Sequence, residues 1–458
     1  MRPVHPLEAA PTHAVSRRQM LLATGMALGS CGAASAWAQA APKGTLPGHP
    51  GRLVVVFLRG AYDGLSAFVP YADADYYSAR PTIAVAAPDG TGLTALRLDN
   101  TFALHPALSP LLPLWQQGVL SFVPSAGLAA PNRSHFAAQY DMEIAQSGKS
   151  SAAPGWLNKV ASLDGHGGAG ASALGVGEAN PAILAGPASV KLIARGQSAE
   201  RVGVLANDAT RQALMDLYAG NDPLGQAFRQ GAGSRLQSAR ELSTEKVAQD
   251  SRRDMATRES GRMLDRDGTP ANPQAQNAQM LAASNGAPDA VGLQLDAQHL
   301  GTLMRNDRKL RLGFLSAGGW DTHANQGNAV GQLANNLGNL GRGIAQLRQD
   351  FSEPGDVVVV MSEFGRTAFE NGSRGTDHGF GNAMWLMGNP INGGRWHGQW
   401  TGLARGNLNE ARDLPAHHDY RAVLAHVLRA TFLLSDSALQ TVLPGARWDS
   451  RLDGLIKA

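Results

Sequence analysis

The chain has 458 residues, 43% hydrophobic and 17% charged, which suits a globular protein with a sizeable core and excludes wholesale disorder. A formal charge of +3 without a long Lys/Arg block excludes nucleic acid as the main partner. The single cysteine, Cys31, excludes a disulfide framework, and a chain that loses it by cleavage of residues 1–40 must hold any metal by nitrogen and oxygen.

Residues 1–40 read as an export signal. Ser16-Arg17-Arg18-Gln19-Met20-Leu21-Leu22 places paired arginines before an apolar run, and Ala38-Gln39-Ala40 supplies the small residues of a cleavage site. This resembles a twin-arginine signal, so the expected partner is that export machinery and the expected address is the periplasm or the exterior. The apolar run is about ten residues where a membrane span needs about twenty, so no transmembrane span is expected in the mature chain. Leu28-Gly29-Ser30-Cys31 offers the alternative of lipoprotein anchoring. Cleavage after Ala40 leaves 37 basic and 36 acidic residues and no cysteine. A Pro/Gly-containing linker over 41–51 then leads into one α/β domain, 52–458.

The first core strand is Leu53-Val54-Val55-Val56-Phe57-Leu58, and Asp63-Gly64 follows at its carboxyl end. Asp63 is either a turn residue or a metal ligand, because ligands of open α/β sheets bind beyond the carboxyl ends of strands. A short strand over 82–86, a helix over 109–117 and a third strand over 119–123 come next. Pro131-Asn132-Arg133-Ser134-His135-Phe136 then opens a helix running to about residue 146. Ser134 falls at the capping position. A hydroxyl there, flanked by Arg133 and His135, is also placed to attack an anionic ester. Asp141 lies on the same helical face as Ser134.

From 156 to 205 the pattern reads as strands and loops, with apolar runs at 173–176, 183–184 and 190–193. Residues 208–305 read as a helical insertion, polar at first and broken at 268–273. Residues 310–315 restore a strand, with Gly319-Trp320-Asp321-Thr322-His323 at its end; Asp321 and His323 point the same way in an extended segment, as metal ligands or as part of an Asx turn. Val330, Leu333, Leu337, Leu340, Ile344 and Leu347 mark a helix packed on the sheet.

Val357-Val358-Val359-Val360 reads as a strand buried on both faces, and directly beyond it stand Glu363 and Arg366. A turn-rich loop then delivers Asp377 and His378. Strand, loop, helix and strand in this order fit a parallel crossover that brings both segments to one sheet edge. Residues 383–387 give another strand, His397 reads as a rim or surface histidine, and His417-His418 as exposed. Asp419 caps a last helix over 422–434. The fold expected is α/β, a mostly parallel central sheet flanked by helices.

Asn132-Arg133-Ser134-His135-Phe136, Gly319-Trp320-Asp321-Thr322-His323, Ser362-Glu363-Phe364-Gly365-Arg366-Thr367 and Thr376-Asp377-His378-Gly379 together resemble the family catalogued as domain of unknown function 1501, over most of the mature chain. That family is grouped with alkaline phosphatases and sulfatases. The resemblance implies an alkaline phosphatase-like sheet, Asp63 as the first metal aspartate, Ser134 as nucleophile, Asp321 and His323 as central ligands and His378 as the last histidine. Glu363-Phe364 departs from it, standing where that superfamily has an Asp-His pair.

The expected activity is hydrolysis of a small-molecule or glycan phosphate or sulfate ester. A divalent metal would be held by Asp63, Asp321, His323, Glu363, Asp377 and His378, with Arg133 or Arg366 neutralising the transferred group. Mixed imidazole and carboxylate donors suit Zn or Mn better than Ca or Mg. The alternative is an exported binding or assembly protein that keeps the scaffold without turnover.

Overall fold

The computed structural model describes residues 51–148, 153–163, 171–220, 222–257 and 274–457; the expected export signal, Cys31 and the expected break at 268–273 lie outside them. The centre is an unbroken β-branched strand, β1 (Leu53–Leu58), buried at every position. The flanking β8 (Leu312–Ala317) and β9 (Val357–Ser362) are equally buried, as continuous apolar strands covered on both faces must be. Both run parallel to β1, with Leu58 opposite Ala317 on one side and Ser362 on the other. The three strands therefore deliver their following loops to one edge.

The sheet has eight strands in the order β11-β5-β10-β9-β1-β8-β6-β7. The others are β5 (Leu120–Gly127), β6 (Ala173–Val176), β7 (Val190–Ile193), β10 (Asn382–Gly388) and β11 (His418–Asp419). β10 runs antiparallel to both its neighbours, and the remaining pairings are parallel. A three-stranded sheet pairs β2 (Phe68–Val69), β4 (Ala103–Leu104) and β3 (Leu96–Arg97).

The helices Leu293–Asn306 and Gln332–Asp350 cover the sheet. Leu293, Ala297, Leu300, Leu303 and Met304 of the first share one core with Leu333, Leu337, Leu340, Ile344 and Leu347 of the second. Each of these buried Leu, Ile and Met side chains contributes about 1.5–3 kcal/mol of transfer free energy. The 208–305 segment thus ends in a core helix, whereas its first helix, Asp208–Leu217, buries no residue. Among the described residues no helix is long and apolar enough to cross a membrane.

Several local expectations are corrected. Residues 82–86 do alternate in burial, with Ile83 and Val85 inside, but their backbone N–H groups donate to Glu370, Arg80 and Tyr76 rather than to a strand ladder. Trp156–Leu163 is a helix and Ala182–Leu184 a single 3₁₀ turn. Val330 lies outside its helix and is exposed. His418 is fully buried, its Nδ1 bonded to Asp449 Oδ2 (2.7 Å) and its Nε2 accepting from Gln399 N (2.8 Å). His397 is buried too, bonded to the Asn392 carbonyl.

Candidate metal centre

Four segments meet at the carboxyl edge. His135 is the first residue of the His135–Ile144 helix, which follows β5. Asp321 and His323 come from the loop after β8, and Glu363 directly follows β9. His378 comes from the loop before β10 and bridges to Arg366. Two glycines permit the convergence. Gly60 takes φ +113° and donates its N–H to Glu363 Oε1 (2.8 Å). Gly375 passes so close to His323 that a Cβ would stand 2.3 Å from the His323 carbonyl carbon.

The Nε2 atom of His378 faces the Nε2 atoms of both other rings. His378 Nε2 lies 2.9 Å from His135 Nε2 and 3.0 Å from His323 Nε2. Asp321 Oδ1 lies 3.5, 2.8 and 3.1 Å from the Nε2 atoms of His135, His323 and His378. Each ring's other nitrogen faces an acceptor: His135 Nδ1 faces Glu363 Oε1 (2.7 Å), His323 Nδ1 faces Asp377 Oδ1 (2.9 Å) and His378 Nδ1 faces the Arg133 carbonyl (3.0 Å). An acceptor at Nδ1 requires a proton there, so each neutral ring presents a bare lone pair at Nε2. Three converging lone pairs repel unless a cation lies among them.

The charge balance points the same way. Asp321, Glu363 and Asp377 bring three negative charges, and Arg366, bonded to Asp321 Oδ1 at 2.7 Å, returns one positive charge. With neutral imidazoles two negative charges remain, matching a divalent cation. When protons rather than a metal occupy the Nε2 atoms, burial would raise the Asp321 carboxyl, yet the hydrogen bonds those rings then donate and the charge of Arg366 hold it far below its ordinary value. Burial likewise pushes His135 down, but Asp321 and Glu363 outweigh it and lift that ring to about 9. Hydrogen bonding to Asp321 raises His323 as well. Such a site takes up a proton or a metal at the same lone pairs.

The donor set fits a metal. Tetrahedral Zn with bonds of about 2.0–2.1 Å separates its ligands by roughly 3.3 Å, and the spacings among His135, Asp321 and His378 are 2.9, 3.1 and 3.5 Å. Asp321 Oδ2 is buried without a hydrogen-bond partner, although Asp321 is only 2% exposed. His135, Asp321 and His378 form the tightest group, with His323 beside them. His323 and His378 are about a quarter exposed at their side chains (25% and 23%), so one side of the cluster opens to solvent.

The expected ligands divide. Asp321, His323 and His378 converge, joined by His135, which the sequence reading set only beside the nucleophile. Glu363 and Asp377 stand behind the rings as acceptors for Nδ1–H; Glu363 is fully buried and also accepts from Gln139 and Ser362. Asp63 is not in the cluster. It is buried against Arg80 in a two-pronged ion pair and accepts from Ser66 and Gln326. Burial would raise its carboxyl, but Arg80 holds it below its usual range.

Arg366 is completely buried at its side chain and anchors Asp321 and Thr376. Arg133 pairs with Glu410 and Asp413. Ser134 takes the extended backbone of an N-cap and is exposed, but its hydroxyl does not cap the helix. Asp141 is buried and accepts from Gly148 N, away from Ser134's solvent-exposed position. Phe364 packs its ring 4.9 Å from His135 and 5.2 Å from His378, forming an apolar wall against both rings.

The sheet and this cluster define an α/β protein with a histidine–carboxylate centre at the carboxyl ends of its strands. The chain belongs to the family described as protein of unknown function (DUF1501), whose model matches residues 51–443. No curated protein matches it.

Proposed function

We propose that the chain is an exported, metal-dependent hydrolase of phosphate or sulfate esters, built on an alkaline phosphatase-like sheet and delivered by the twin-arginine route. The observation that carries this reading is the convergence of three Nε2 lone pairs on Asp321, each ring fixed from behind by an acceptor. His135, His323, His378 and Asp321 would hold Zn or Mn. A divalent cation bound there supplies Lewis acidity, polarising an ester oxygen or lowering the pKa of water.

The chain's own residues do the rest. Glu363, Asp377 and the Arg133 carbonyl keep the imidazoles in the ligating tautomer, and Arg366 holds Asp321 in place. Phe364 keeps water off two of the rings. Ser134 immediately precedes His135 and stands exposed at the start of a ten-residue helix, where backbone N–H groups favour an anionic substrate. It is the attacking hydroxyl in this reading.

The second reading, a binding or assembly protein without turnover, is favoured by one observation: Arg80 neutralises Asp63 and Phe364 replaces a histidine, so a second metal position lacks ligands. Zinc content of full-length protein and turnover of aryl phosphates and sulfates separate the two. One zinc per chain with turnover supports the hydrolase, and zinc without turnover on either ester supports the binding protein. Ser134→Ala is expected to change stability by less than about 0.5 kcal/mol, because the hydroxyl caps nothing. The same variant is expected to lower turnover by roughly 10³-fold or more. Undiminished turnover in Ser134→Ala assigns the attack to water instead.

A further inference from the structure

Gln326 is fully buried, carries no charge and belongs to no motif of the sequence, yet its amide ties both ligand-bearing loops of the site to the Asp63 loop beyond β1. Its Nε2 donates to Asp63 Oδ2 (2.7 Å), beyond β1. Its Oε1 accepts from Thr322 Oγ1 (2.8 Å), between Asp321 and His323, and from Thr376 Oγ1 (2.9 Å), next to Asp377 and His378. The orientation of the amide follows from its partners: an ionised carboxylate can only accept, so the N–H side must face Asp63, leaving the oxygen for the two hydroxyls.

Thr376 continues the chain of bonds. Its Oγ1 accepts from Arg366 Nε (3.2 Å), and Arg366 NH1 donates to Asp321 Oδ1 (2.7 Å). The backbone adds to the clamp, since Gln326 N donates to the Arg374 carbonyl and Thr376 N to the Thr322 carbonyl. The two ligand-bearing loops, 320–323 and 376–378, come from different strands, and one amide oxygen holds a threonine from each. Asp63 is thereby the fixed anchor of this network, with Arg80 supplying its counter-charge.

We infer that Gln326 is a positioning residue: it locks the two ligand loops in the register that lets His323, His378 and Asp321 share one cation. The inference rests on the metal reading above. A side chain without polar groups at 326 leaves Thr322, Thr376 and Asp63 each short of a bond, and the loops lose their common tie. Supporting interactions of this kind are worth 10- to 100-fold in metal affinity.

The test is zinc affinity of the full chain, by competition with a chromophoric chelator, for wild type, Gln326→Met and the gentler Thr322→Val, whose hydroxyl bonds only Gln326. Co(II) absorption reports the coordination geometry alongside. His418→Asn, at the remote Asp449 contact, serves as a control for general loss of stability. The expected result is zinc binding weakened at least 10-fold in Gln326→Met and about fivefold in Thr322→Val, with altered Co(II) bands, while the His418 variant binds as wild type. Wild-type affinity in Gln326→Met, or a loss no greater than that of the control, overturns the inference alone. A wild-type chain that takes up no zinc overturns the metal reading and this inference with it.

Discussion

Replacing His378 with alanine is expected to lower zinc affinity by roughly 10²-fold or more: structural zinc sites bind with about 10–16 kcal/mol, so one of four ligands carries about 3 kcal/mol. The metal-free chain should lose only about 1–2 kcal/mol, because the ring is partly exposed and gives up its contacts with the Arg133 carbonyl and Asp321 Oδ1. Zinc retained after dialysis against a competing chelator and urea unfolding in EDTA measure the two quantities separately. Asp321→Ala is the poorer experiment. It strands Arg366, which is buried and bonded to that carboxylate, and an uncompensated buried charge costs about 3–5 kcal/mol regardless of any metal. Full zinc retention in His378→Ala would remove His378 from the ligand set and leave the Nε2 convergence without a function.

The centre of the fold was legible because it is dictated locally. The continuous valines of β1 and β9 admit only a strand covered on both faces, and the three- and four-residue steps from Leu333 to Leu347 admit only a helix buried on one side. The failures lie where pairing partners decide. Residues 82–86 have the burial alternation of a strand, but Glu370 and Tyr76 capture their N–H groups. The two-residue strands β2, β3 and β4 are too short to leave a period at all.

The site divides similarly. The proximity of Asp321, His323 and His378 was legible because glycine-flanked loops beyond neighbouring buried parallel strands reach one sheet edge. Glu363 and Asp377 were seen as site residues, but chain order does not say which side of an imidazole a carboxylate occupies. His135 was obscured by Ser134, the better capping residue. Its signal was helical: His135, Ala138, Gln139 and Met142 recur on one buried face, which turns His135 inward and Ser134 out. Asp63 stayed open between turn residue and ligand because its partner, Arg80, lies 17 residues on with no motif linking the two. Gln326 carried no sequence signal; an amide becomes informative only when its three partners are located.

The second large effect concerns the charges beneath the site. Arg59 is buried between Glu143 and Glu178, and its NH1 donates to Gln139 Oε1 (3.1 Å), which turns the Gln139 amide N–H toward Glu363. Arg59→Met is expected to cost about 3–5 kcal/mol near pH 7.5, because two buried carboxylates lose their only shared cation. The loss should depend on pH with a definite sign. Burial already raises the Glu143 carboxyl above its ordinary value despite Arg59, and removing Arg59 removes the largest opposing influence. A folded-state pKa above the unfolded one means the native state binds more protons through that window, so stability falls as pH rises through it and returns below it. Urea unfolding of the metal-free variant should therefore show a deficit that shrinks from pH 8 toward pH 5, relative to wild type. A deficit below 1 kcal/mol, or one unchanged across that range, would mean that Glu143 and Glu178 find other partners. Zinc affinity should fall together with stability, because a Gln139 free to turn no longer holds Glu363 against His135, and the tautomer that exposes the His135 Nε2 lone pair loses its support.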